Sequence, residues 1–176
     1  MAYVAIRAPP TDLEEIAAEE KRCIFTRFTA ETAWIIGSML RDRLRRASSK
    51  PAVINITLAN SDQLLFHAAT GPGTGPDNDT WVARKRRAVL RWSSSTWALH
   101  NKYRGDEPAF AAKFQLGQRG GDYAIHGGGF PIRVEGVEGI VGVIVVSGLT
   151  MQEDHEVIVE VIEDYLQKKA RGEISD

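Results

Sequence analysis

The sequence predicts a single α+β domain in which an antiparallel sheet carries packed helices. Three observations lead there. Two pairs of β-rich segments are each joined by a short turn, which makes hairpins rather than crossovers. Three longer segments repeat apolar residues at helical spacing. The chain has 176 residues, 43% of them hydrophobic and 26% charged, which suits one domain with its own core.

In chain order, residues 11–27 read as a short helix of mixed charge, and residues 1–20 as an arm over the domain. Thr29 is placed to cap a helix of about residues 31–46, with Glu31 in its first turn. Ala33, Ile36, Leu40 and Leu44 form its apolar stripe, and Gly37 inside it marks a close packing contact. Arg41, Arg43, Arg45 and Arg46 make its end basic, either as a solvated helix terminus or as an anion site. Segments 53–58 and 64–69 form the first hairpin around the turn cluster Ala59-Asn60-Ser61-Asp62. The run from Gly71 to Pro76 is a flexible rim that lacks the Gly-Lys-Ser/Thr ending of a phosphate loop.

Asn78 is expected to cap a long helix of about 79–92, broken at Ser93-Ser94-Ser95 and resumed toward Tyr103. A short helix follows at 107–114. Segments 130–135 and 140–146 form the second hairpin. Its second member is apolar throughout, as in a strand buried on both faces, and Gly142 within it marks a close backbone approach. Thr150-Met151-Gln152-Glu153 is a capping box that opens the last helix, with Val157, Ile158, Val161, Ile162, Tyr165 and Leu166 on its buried side. The domain is expected over residues 21–168, with a flexible tail at 169–176.

A net charge of −1 gives no general electrostatic help toward nucleic acid or an anionic membrane, so neither is expected as a partner. Residues 1–20 lack the pattern of a secretory signal, no apolar run reaches membrane-spanning length, and a cytoplasmic location is expected. Cys23 is the sole cysteine and reads as a small buried apolar residue. No His, Asp and Glu set has the close spacing of a zinc site, so no metal site is expected.

Chemistry concentrates in three places. On the long helix Trp81, Lys85, Ala88 and Trp92 share one face, while Arg84, Arg87 and Arg91 share a solvated one. A lysine in an aromatic stripe either snorkels along the tryptophans or meets a carboxylate or phosphate, from a ligand or from Asp77. The run His126-Gly127-Gly128-Gly129-Phe130-Pro131 leaves backbone N–H groups open to an anion, or else is a turn needing positive φ. Serine hydrolysis is excluded because no G-x-S-x-G elbow accompanies that run. Ser147-Gly148-Leu149, ahead of Asp154-His155 at the last helix, forms a polar pocket at a helix N-terminus. His155 there is a ligand, an acid/base, a metal site or a bonded structural residue; Asp154 orients it or offsets the helix dipole.

Asp77-Asn78 leading to Trp81 and Lys85, then Ser94-Ser95, His126-Gly127-Gly128 with Phe130-Pro131-Ile132, and Ser147-Gly148-Leu149 with Asp154-His155, occur in one order. In this the chain resembles the haem-degrading-domain family (GlcG-like and HbpS-like proteins and the C-terminal domain of PduO) over about residues 20–167. The branch is the one with Asp-Asn-x-x-Trp and Gly-Gly-Phe-Pro-Ile signatures. The resemblance implies about five antiparallel strands flanked by helices, a homo-oligomer of two or more copies, and haem or corrinoid binding in some relatives. It points to Asn78, Trp81, Lys85, Ser94, Ser95, Gly127, Gly128, Gly129, Phe130, Ser147 and Gly148 as ligand-binding positions. His126, His155 and Asp154 are the catalytic or axial candidates, with His67 and His100 not ranked out. The leading expectation is an oligomeric binding protein for a small anion or a tetrapyrrole. An enzyme using a pocket histidine as acid/base is the second, and an oligomeric interaction protein acting through residues 1–20, as in protein targeting, the third.

Overall fold

The computed structural model describes residues 3–175. Met1 and Ala2 of the expected arm and Asp176 of the expected tail lie outside the described residues. Helix α1 (Leu13–Arg22) is capped by Asp12 and leads to strand β1 (Ile24–Phe25). Helix α2 (Ala30–Ala47) follows, with the hydroxyls of Thr29 and Thr32 forming a reciprocal cap at its start. Strands β2 (Val53–Leu58) and β3 (Leu64–Ala69) make the first hairpin. Helices α3 (Pro76–Trp92), α4 (Thr96–Lys102) and α5 (Glu107–Lys113) come next, then a 3₁₀ turn at Gly117–Asp122. Strands β4 (Gly129–Val134) and β5 (Gly142–Ser147) form the second hairpin, and α6 (Met151–Ala170) ends the fold.

The sheet has five strands in the order β1-β4-β5-β2-β3. Both hairpins are antiparallel, and β5 joins them by pairing antiparallel with β2, Val53 opposite Ser147. The expectation of an all-antiparallel sheet is corrected at one edge, where β1 runs parallel to β4 with Ile24 opposite Arg133. Parallel neighbours need a long connection, and here most of the chain lies between the two. A two-residue strand paired at that distance leaves no local signature.

Alternation along the strands sends side chains into two layers. Ile54, Ile56, Ile144 and Val146 point to α2 and α6, where they meet Ile36, Leu40, Val157, Ile158 and Ile162. Val53, Val143 and Val145 point the other way, to Val82 and Val89 of α3. This two-sided burial is why β5 is apolar throughout. A separate cluster of Ala88, Leu99, Phe110, Leu116, Tyr123 and Ile125, with Trp92 against it, fixes α4 and α5 to the outer side of α3. Gly37 lets α2 lie directly on β3, since a Cβ there would stand 2.5 Å from the ring of Phe66.

Residues 3–12 are strapped to the body. Val4 N–H donates to Arg46 O at 2.8 Å, and the Arg43 guanidinium donates to the carbonyls of Val4 and Ala5 and to Glu160. The Arg7 guanidinium donates to Glu156 and Glu163, and Trp97 Nε1 donates to Pro10 O at 2.7 Å. Of the arginines at the end of α2, the Arg43 guanidinium therefore holds this segment, while Arg46 contributes its backbone carbonyl.

Candidate functional site

Helix α3 begins earlier than its sequence suggests, and Asn78 is not its cap. Gly75 is the cap, Pro76 starts the helix, and Asn78 is its third residue. Asn78 Oδ1 accepts the Gly75 N–H at 3.0 Å, and Nδ2 donates to Ser147 O at 3.2 Å. That second bond fixes α3 to the end of β5. With Val82 and Val89 set against the sheet, the Lys85 face turns toward the start of α6.

Lys85 is 3% exposed. Its Nζ donates to Val146 O at 2.9 Å and to Asp154 Oδ2 at 3.1 Å. The partner is Asp154, and Asp77, also considered from sequence, is exposed. The Asp154 carboxylate, itself 3% exposed, also accepts the N–H groups of Gly148 at 3.3 Å and Leu149 at 3.0 Å. Burial draws Lys85 below its ordinary ammonium range while Asp154 opposes that shift. Burial pushes Asp154 above the usual carboxylate range, against Lys85 and the two amides. Three donors and the first turn of α6 all favour the charged carboxylate.

The glycine run is what allows the pair to close. Gly128 has φ +116°, and a Cβ there would stand 2.6 Å from Lys85 Nζ and 2.9 Å from Asp154 Cβ. A Cβ on Gly127 would collide with Met151 O. Gly129 N–H donates to Thr96 Oγ1 at 2.9 Å. Lys85 Nζ and the N–H groups of Gly129, Gly148 and Leu149 are thus bonded within the chain, and the carboxylate that meets Lys85 is that of Asp154.

Beside this pair a cleft of about 270 Å³ is lined by Asn78, Trp81, Lys85, His126, Ser147, Gly148, Leu149, Met151 and Asp154. At its mouth His126 is half-exposed, meets Trp81 edge-to-face at 4.8 Å, and holds Nδ1 3.1 Å from Glu107 Oε1. Arg84 covers Trp81 at 4.5 Å from its ring centre and donates to Tyr123 O, so the supposedly solvated arginine stripe is partly engaged.

Other expected positions lie elsewhere. Ser95 is buried and caps α4 through Ala98 N–H at 3.0 Å, and Ser94 lies beside it. Phe130 is in the core under α6. His155 is fully buried, turned from the cleft toward Trp97 and Phe130. His67 lies on β3 near Asp79. His100 stacks on Trp97. Leu149 was read within the Ser147-Gly148-Leu149 segment, whereas Glu107 and Met151 were not singled out as site residues in the sequence. Only Met151, first in the capping-box helix, had a local clue.

This is a three-layer α/β/α domain with a buried ion pair under a small cleft, and the chain belongs to the family described as haem degrading protein HbpS-like, matched over residues 28–163. A UPF0303 protein of Streptomyces coelicolor is 43% identical over 152 residues, 86% of this chain and 92% of that one. The crystal structure of Ybr137w protein superposes with a TM-score of 0.83 at 31% identity, covering 90% of each chain. A crystal structure of a PduOC–haem complex matches the fold with a TM-score of 0.61 at 15% identity, covering 78% of this chain and 93% of that one.

Proposed function

We propose that this protein binds a tetrapyrrole, with haem as the reference ligand, at the cleft between α3 and α6, and that His126 is its axial residue. The observation that carries this reading is the Glu107 carboxylate 3.1 Å behind His126 Nδ1. The two atoms are close without hydrogen-bond geometry, and a small rotation of either side chain would let the carboxylate accept the Nδ1 proton and leave the Nε2 lone pair for a metal. The side chain of His126 is 40% exposed, so a planar ligand can approach it. Trp81, Leu149 and Met151 supply apolar surface next to it. A cleft of about 270 Å³ encloses the edge of a macrocycle, the rest lying over the rim. When bound, haem would supply an iron centre whose axial ligand and surroundings set its reactivity. The residues of this chain bind and orient it, while the ion pair of Lys85 and Asp154 holds the cleft floor rigid. Membership of the HbpS-like family and the haem present in the PduOC structure support the ligand class.

Assembly into a homo-oligomer goes with this reading. Strand β3 is an open edge, and Trp34 and Leu64 beside it are 61% and 51% exposed.

The test is a haemin titration followed at the Soret band. Wild type should give a saturable shift, and His126→Ala should weaken binding by ~10-fold or more and alter the band position. A shift absent from wild type, or identical in His126→Ala, would overturn the assignment.

A further inference from the structure

Away from the cleft, three ionisable side chains meet where α1 packs on α6. Glu19, His155 and Glu156 are 5%, 0% and 0% exposed, and their ligating atoms all lie within 4.8 Å of one another. Glu19 Oε2, both nitrogens of His155 and Glu156 Oε2 have no hydrogen-bond partner among the described residues. Buried polar atoms are nearly always bonded, and unbonded ones on three residues whose ligating atoms, one from each, lie this close together require an explanation. Arg7 donates to Glu156 Oε1 and leaves Oε2 facing the cluster.

We propose that Glu19, His155 and Glu156 bind one divalent transition-metal ion, with zinc the best fit. The ion would neutralise two buried carboxylates and bond the imidazole in a single step. A nitrogen in the set disfavours calcium and magnesium, and the lack of a sulfur ligand disfavours copper(I). His155 Nε2 stands 3.6 Å from Glu19 Oε2. Two ligands ~2.1 Å from a tetrahedral ion are about 3.4 Å apart, so this edge needs almost no adjustment. The His155 ring is held between Trp97 and Phe130, with centroids at 6.0 and 5.9 Å, which fixes its direction. A surface cavity of about 440 Å³ beside the arm, lined by Pro9, Pro10, Ala18, Glu19 and Arg22, brings solvent to the Glu19 member of the cluster. The bound ion would clamp α1 to α6. It is independent of the tetrapyrrole reading, because Asp154 and His155, though adjacent, face different parts of the fold.

The test uses tag-free full-length protein stripped with EDTA and dialysed against zinc. Elemental analysis should find about one zinc per chain, with a Tm above that of the stripped form. Cobalt(II) in its place should give visible d–d bands that Glu19→Gln and His155→Gln abolish while the far-UV spectrum is kept. No retained metal and no change in Tm would overturn the proposal, as would unchanged stoichiometry and cobalt spectra in both variants. If the variants do not fold, X-ray absorption of the wild-type zinc form decides. A nitrogen/oxygen shell with one imidazole supports the site; sulfur or several imidazoles refute it.

Discussion

Lys85 Nζ stands 3.1 Å from Asp154 Oδ2, and each side chain is only 4% exposed. The pair joins the middle of α3 to the first turn of α6 across the end of β5. Removing one partner leaves an uncompensated buried charge, which costs about 3–5 kcal/mol. Lys85→Met and Asp154→Ala should each lower stability by that order in urea unfolding. Lys85→Met combined with Asp154→Leu should recover part of it, because both charges are gone. Single variants within ~1 kcal/mol of wild type would show that the pair is not a structural junction.

Gly128 is constrained twice, by φ +116° and by the closeness of the Val146 carbonyl oxygen and Lys85, 2.4 and 2.6 Å from where a Cβ would stand. Gly128→Ala should therefore destabilise by about 2 kcal/mol or more. Gly121→Ala, where a Cβ would have nothing within 4 Å, should stay within ~0.5 kcal/mol of wild type. Equal effects at the two positions would contradict the packing role given to the glycine run.

Burial pushes the Cys23 thiol up to about 12, and the residue is 1% exposed. Iodoacetamide at pH 8 should leave it unmodified in folded protein and label it fully in urea, as read by mass spectrometry. Fast labelling of the native protein would mean that the α1–β1 junction opens readily.

His100 lies below the ordinary imidazole range, because burial disfavours its charged form and His126 adds to this, against the Ile125 carbonyl and Glu107. A group depressed on folding supports the native state above its unfolded pKa of ~6.5, and that support is lost as pH falls through the folded value. Its ring carbon resonances should titrate below 6.5, and His126→Gln should raise the midpoint. A midpoint at or above 6.5 in wild type would contradict this environment.

Much of the fold was legible because its signals are local. Alternation and turn residues marked both hairpins, and Thr29 and Thr150 marked two helix starts. Strand β1 was not legible, since two residues carry no period and its partner is remote. At the cleft the sequence singled out Lys85, the glycine run and Asp154, and folding brings these together. Of its two readings of the glycines, an anion cradle or a turn needing positive φ, the φ of +116° at Gly128 fits the second, and the run lies against the charge pair made within the chain. Asp154 and His155 looked like one unit by adjacency, but successive helical residues are turned by ~100°, and that rotation sends His155 to Glu19 instead. The cluster of Glu19, His155 and Glu156 stayed hidden because Glu19 is far in sequence from the adjacent pair His155-Glu156.

The most direct test of the proposed site is mapping a diamagnetic haem analogue, gallium protoporphyrin, onto the protein by ¹H–¹⁵N NMR. The account predicts shifts centred on Trp81, His126 and residues 147–151, with the Trp81 indole among the largest. Shifts centred instead on Trp34, Phe66 and β3, or none at saturating ligand, would contradict it.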